Sequence, residues 1–151
     1  MAHDVLTYRS PRLRAHGLLT LPGRDFASAP AARRHMRDTA RSWGLPQGAA
    51  DDLESITGEL VANALEHGDG NTITVAWALA AETITISVTD QGGYRAAPVP
   101  TPPHLPPNPD QERGRGLLIT DALAARWGTW QSGGGLTVWA EVFIGVSSRN
   151  A

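Results

Sequence analysis

The sequence predicts an α+β domain, a two-layer α/β sandwich with helices on one face of a mixed, largely antiparallel sheet. Three observations predict it. Two consecutive stretches between residues 28 and 68 repeat apolar residues at helical spacing. Two pairs of short β-type segments are each joined by a tight connection. The chain has 151 residues, the size of one domain able to bury its own core.

Taken in order, residues 1–16 are expected to form a flexible N-terminal segment and residues 17–146 the folded domain. Gly17-Leu18-Leu19-Thr20-Leu21 reads as a short strand that Pro22 and Gly23 end. Ser28 followed by Pro30 marks a helix start, with Ala32, Met36, Thr39, Ala40 and Trp43 on one face and Gly44 at its end. Arg33, Arg34, Arg37 and Arg41 make its other face basic. Pro46 opens a second helix, acidic early through Asp51, Asp52 and Glu54, with a buried stripe of Leu53, Ile56, Leu60 and Ala64 and a stop at Gly68.

Residues 72–80 and 83–89 alternate as a β-hairpin should, and Asp90 stands where the second strand ends. From Pro98 to Pro109 seven of twelve residues are proline, which excludes helix and central strand and predicts an extended, exposed loop. An apolar helical segment, Leu117 to Ala125, follows. A last hairpin, 127–131 with 136–144, turns around Ser132-Gly133-Gly134-Gly135.

Composition removes several function classes. There is no cysteine, so disulfide scaffolds, Cys-ligated metals and thiol nucleophiles are out. The histidines are scattered. A net charge of -2 and a pI near 6.2 supply no basic field for nucleic acid, so any phosphate recognition is local and a DNA-binding regulator is disfavoured. The first residues form neither a signal peptide nor an anchor, and the expectation is a soluble cytoplasmic protein without a membrane partner.

Three clusters carry chemistry. Glu59, Asn63 and His67 recur every four residues on the second helix, forming a polar row beside the apolar stripe. Such a row is ordinarily a helix's wet face. An asparagine oxygen suits a magnesium ion already coordinated by phosphates and water, and a carboxylate one turn away suits proton abstraction. Asp90 precedes Gly92-Gly93, where bare backbone admits a flat ring. Its carboxylate has the chemistry to accept from an adenine amino group, or it is a turn aspartate. Gly114-Arg115-Gly116, preceded by Arg113, begins a helix and offers N–H groups to phosphate oxygens; the bland reading is a loop-to-helix joint.

In their order along the chain, Glu59-Leu60-Val61-Ala62-Asn63-Ala64-Leu65-Glu66-His67-Gly68, Val88-Thr89-Asp90-Gln91-Gly92-Gly93 and Arg113-Gly114-Arg115-Gly116-Leu117 resemble the N, G1 and G2 boxes of the GHKL superfamily of histidine-kinase-like ATPases. The short length and Leu136-Thr137-Val138-Trp139-Ala140 on the last strand are similar to the anti-sigma-factor serine/threonine kinases of that superfamily. The resemblance implies a Bergerat-type ATP-binding fold, ATP and Mg2+ as cofactors, Glu59 as catalytic base and Asn63 as metal ligand. It implies Asp90 as adenine reader, and Gly92, Gly114 and Gly116 as shapers of a nucleotide pocket to which His67, Gly93, Arg113, Arg115 and Leu117 also belong. Thr137 would back the adenine end, and the Pro-rich stretch 95–113 would replace the family's ATP lid. The implied partners are a sigma factor and an anti-anti-sigma (STAS-type) protein that is phosphorylated on Ser or Thr. One departure stands in the G1 box, where Tyr94 occupies a position usually held by glycine. The alternative is a non-catalytic or weakly nucleotide-binding module that sequesters a protein. The arginine face of the first helix is then the candidate contact or homodimer surface, against its reading as a solvated charged face.

Overall fold

A computed structural model of the chain describes residues 14–68, 70–91, 114–132 and 135–144. The expected lid 95–113, together with Gly92, Gly93 and Arg113, lies outside those residues, as do residues 1–13. The elements are β1 (Ala15–Pro22), α1 (Ser28–Ser42), α2 (Gln47–His67), β2 (Thr72–Leu79), β3 (Thr83–Asp90), α3 (Gly114–Leu123), β4 (Arg126–Ser132) and β5 (Gly135–Phe143).

One five-stranded sheet runs in the order β1-β2-β3-β5-β4, and every neighbouring pair is antiparallel. The expected mixed sheet is thus corrected to a purely antiparallel one among the described residues. The reason is topological. The connection from β3 through α3 to β4 does leave two strands pointing the same way, but the β4–β5 hairpin folds β5 back into the gap between them. β1 also begins two residues earlier than the reading placed it, at Ala15. It continues through Pro22, which an edge strand tolerates because one side of its backbone has no ladder partner.

Strand alternation decides which face is covered. Ile84, Ile86, Val88 and Asp90 of β3 are buried, as are Ile73, Val75, Trp77 and Leu79 of β2. Against them lie Leu53, Ile56, Leu60, Val61 and Ala64 of α2, so the stripe legible at helical spacing is the stripe that packs. Burying each of these Leu and Ile side chains stabilises the fold by about 1.5–3 kcal/mol. Ala32, Met36 and Ala40 of α1 complete the core.

Helix ends follow from local hydrogen bonds. Gly44 has φ +70°, and the Leu45 N–H reaches back to the Ala40 carbonyl at 3.1 Å, a left-handed helix stop that glycine permits without steric cost. At the other end of α1, the Ser28 hydroxyl donates to the Pro22 carbonyl at 2.7 Å and ties the helix start to the end of β1.

Candidate functional site

α2 packs against both α1 and α3. The α1 side is marked by two contacts. Arg37 Nη2 donates to Glu54 Oε2 at 2.8 Å, and this hydrogen bond holds the Glu54 carboxyl below the usual carboxylate range. One turn on, Gly58 is buried beneath the Arg33 side chain: a Cβ there would meet Arg33 Cδ at 2.8 Å. Two of the four arginines foreseen as a contact face are therefore taken up in packing α1 on α2, while Arg34 and Arg41 are exposed.

Asn63 follows Glu54 by nine residues, about two and a half helical turns, which turns it to the opposite flank. Glu59 precedes it by one turn, also on the flank away from Arg33 and Arg37. Both are half-buried. His67, next in the row, is exposed, with its Nε2 3.6 Å from Glu66 Oε1.

Asp90, the last residue of β3, is only 2% exposed, an environment in which a carboxylate needs defined partners. Its Oδ1 accepts the Gly70 N–H at 3.1 Å. The end of α2 comes directly against it, because a Cβ at Gly68 would lie 2.5 Å from Asp90 Cγ. Asn63 is five residues upstream of Gly68, so along the helix axis it stands only about 8 Å from that contact. The fold therefore brings the amide of Asn63 and the carboxylate of Asp90 to one end of the molecule.

α3 begins at Gly114, three residues before the apolar segment that the reading took as helix, and Gly114, Arg115 and Gly116 form its first turn. The N–H groups of a first turn have no partner within their helix. Leu117 is half-buried against the core, and Asp121 Oδ1 accepts from Trp127 Nε1 at 2.8 Å, which fixes α3 to β4.

Thr137 is not brought to Asp90. It pairs with Thr89, whose hydroxyl is 2.7 Å from its own, and both point to the face of the sheet away from the helices, whereas Asp90 points towards them. Period-two alternation makes Leu136 the residue across from Asp90. Counting back from the buried Val138 would have shown this. Gly68, Gly70 and Gly135 close around Asp90, and their spacing carries no signal of it: the sequence marks Gly68 as a helix stop and Gly135 as part of a hairpin turn.

The profile of the family described as "Histidine kinase-like ATPase domain" matches residues 24–142. The chain belongs to this family. Membership makes ATP the nucleotide the domain is built around, and the histidine kinase-like ATPase architecture accounts for helices over one face of an antiparallel sheet. Among solved structures, the chain is similar to the RsbU and RsbW domains of Rv1364c from Mycobacterium tuberculosis, with a TM-score of 0.63 and 24% sequence identity. The match covers 85% of this chain and 32% of that one, so this chain spans about a third of the length of its structural neighbour. No curated protein matches the sequence. Among the described residues, no helix is long and apolar enough to cross a membrane, and no three His, Cys, Asp or Glu side chains gather to hold a metal ion.

Proposed function

We propose that this domain binds Mg-ATP between α2, the end of β3 and the start of α3, and that it is an anti-sigma regulator which phosphorylates a Ser or Thr of an anti-anti-sigma (STAS-type) partner. The observation that carries the reading is Asp90: a carboxylate 2% exposed at a strand end, held by a backbone N–H and backed by the end of the helix that bears Glu59 and Asn63. A buried acceptor beside bare backbone fits a purine amino group.

The donor set fits a magnesium ion that keeps most of its ligands from phosphates and water, since Asn63 offers one neutral oxygen and no three His, Cys, Asp or Glu side chains gather among the described residues. The ion, when bound, neutralises phosphate charge. Glu59 would take the proton of the partner's hydroxyl as that oxygen bonds to the γ-phosphorus. The bond from the γ-phosphorus to the β–γ bridging oxygen breaks, and ADP leaves. The first turn of α3, Gly114 to Gly116, would meet the phosphates with its N–H groups, with Arg113 and Arg115 adding charge. Gly92 and Gly93 would shape the base end and the segment 95–113 would cover the nucleotide. His67, on the row of Glu59 and Asn63, would stand at the pocket rim, and Leu117 would anchor the phosphate-side helix. The protein would act in the cytoplasm, with a sigma factor as the second partner.

The second reading, a sequestering module that transfers no phosphate, is favoured by the exposed Arg34 and Arg41 on α1, which leave a basic surface for a partner or a second copy. Calorimetric titration with Mg-ATP and a transfer assay with an anti-anti-sigma protein separate the two. Under the kinase reading the unmodified protein binds Mg-ATP, Asp90→Asn binds at least about tenfold more weakly, and Glu59→Ala binds normally but transfers no phosphate. Binding of the sigma factor by a protein that holds no nucleotide selects the sequestering reading.

A further inference from the structure

Gly68 ends α2 with φ -88° and ψ 166°, a conformation open to any residue, so its backbone makes no demand for glycine. Space does. A Cβ on Gly68 would lie 2.5 Å from Asp90 Cγ, closer still to Oδ2, and 2.6 Å from the Ala64 carbonyl oxygen. Gly44 is the converse, with φ +70° and nothing within 4 Å of a built Cβ.

The Asp90 carboxylate has little room to yield. Its backbone is locked in the ladder between Ile73 and Leu136, and Oδ1 is engaged by the Gly70 N–H at 3.1 Å. Two further glycines press from behind. A Cβ at Gly135 would stand 2.6 Å from the Asp90 carbonyl oxygen, and one at Gly23 would stand 2.5 Å from the carbonyl oxygen of Gly70. Gly23 itself donates to the Asn71 carbonyl at 2.7 Å, so the turn after β1 braces the loop whose amide holds Asp90.

We propose that Gly68 is a specificity-determining position of the nucleotide site. Its missing side chain lets the Asp90 carboxylate lie against the end of α2 in the one orientation where Oδ1 takes the Gly70 N–H. The inference rests on the reading of Asp90 as the acceptor for the purine base. A side chain at residue 68 rotates the carboxylate, breaks the Gly70 bond and removes the preference for a 6-amino over a 6-oxo purine. Gly68 is a positioning residue: it acts through Asp90.

The probes are ATP and ITP, which differ at C6, amino against oxo, and at N1, a bare acceptor in ATP and an N–H in ITP, titrated by calorimetry into the full chain. The unmodified protein prefers ATP by about tenfold or more, as a site built to accept a hydrogen bond does. Gly68→Ala brings the ratio close to one, chiefly by weakening ATP. A Gly68→Ala protein that keeps the original ratio overturns the proposal. An unmodified protein that does not distinguish ATP from ITP, or whose ratio survives Asp90→Asn, overturns the base-reading role of Asp90 instead. Stability supplies a readout if Gly68→Ala folds poorly. In an Asp90→Ala background the colliding carboxylate is gone, so adding Gly68→Ala there lowers the denaturation midpoint less than it does in the original protein. Equal losses in the two backgrounds, or failure of both proteins to fold, count against the proposal.

Discussion

The two flanks of α2 are built on opposite logic. On the α1 side, charge is settled within the protein: Glu54 is paired with Arg37, and Arg33 lies over Gly58. On the opposite flank, Glu59 and Asn63 are half-buried, yet neither side chain makes a hydrogen bond or ion pair with another described residue. One helix thus separates a flank whose charges are paired within the fold from a flank whose polar side chains are left to the proposed reaction. The spacing of polar residues alone does not distinguish the two, because Glu54 and Glu59 are equally charged and equally far from the buried stripe in kind.

The largest expected effect breaks the chemical flank. Under the proposed reading Asn63→Ala removes the oxygen offered to the metal, so the Mg2+ dependence of ATP binding disappears and transfer falls by about a hundredfold or more, while the melting temperature stays near that of the unmodified protein. A large loss of melting temperature would return Asn63 to the structural side of the comparison.

An intermediate effect comes from the packing flank. Gly58→Leu forces α1 off α2, and overpacking of this kind costs about 1–3 kcal/mol, measured as a lower midpoint in chemical denaturation. ATP affinity measured below that midpoint is unchanged. A variant as stable as the original would mean that α1 contacts α2 less closely than the Arg33–Gly58 approach requires.

The smallest effect is that of Arg37→Ala. Arg37 is exposed and the pair is open to solvent, so its loss shifts the melting temperature less than Gly58→Leu does, and less again at high salt. Its sign with pH is definite. The folded pKa of Glu54 is lowered, first by the hydrogen bond from Arg37, so the stabilisation is present above the carboxyl's unfolded pKa and is lost as pH falls through the lower folded value. Melting curves of the two proteins therefore differ near neutrality and converge in acid.

Much of this was legible in the sequence, for physical reasons that differ by residue. Leu53, Ile56, Leu60 and Ala64 announce a buried face because helical geometry is local, and the structure buries all four. Gly44 and Gly68 both looked like helix stops, yet only Gly44 adopts the left-handed conformation that the rule concerns. The need for glycine at residue 68 arises from Asp90, twenty-two positions away, and no local pattern carries that. Thr137 shows the cost of a single step in register: strand alternation gives its neighbour Leu136 to the Asp90 side. The antiparallel course of the whole sheet was hidden for a related reason, since nothing in the β4–β5 hairpin says where it will insert.

That insertion has a consequence for the order of assembly. β5 is the last of the described strands in chain order and yet lies inside the sheet, between β3 and β4. During synthesis the open edge of β3 has to wait until the β4–β5 hairpin leaves the ribosome and wedges in. Because Leu136 and Gly135 then close against Asp90, the surroundings of Asp90 are completed only by the last described strand. A nascent chain halted before residue 135 has every residue of α2 in hand and still lacks the strand that closes around Asp90.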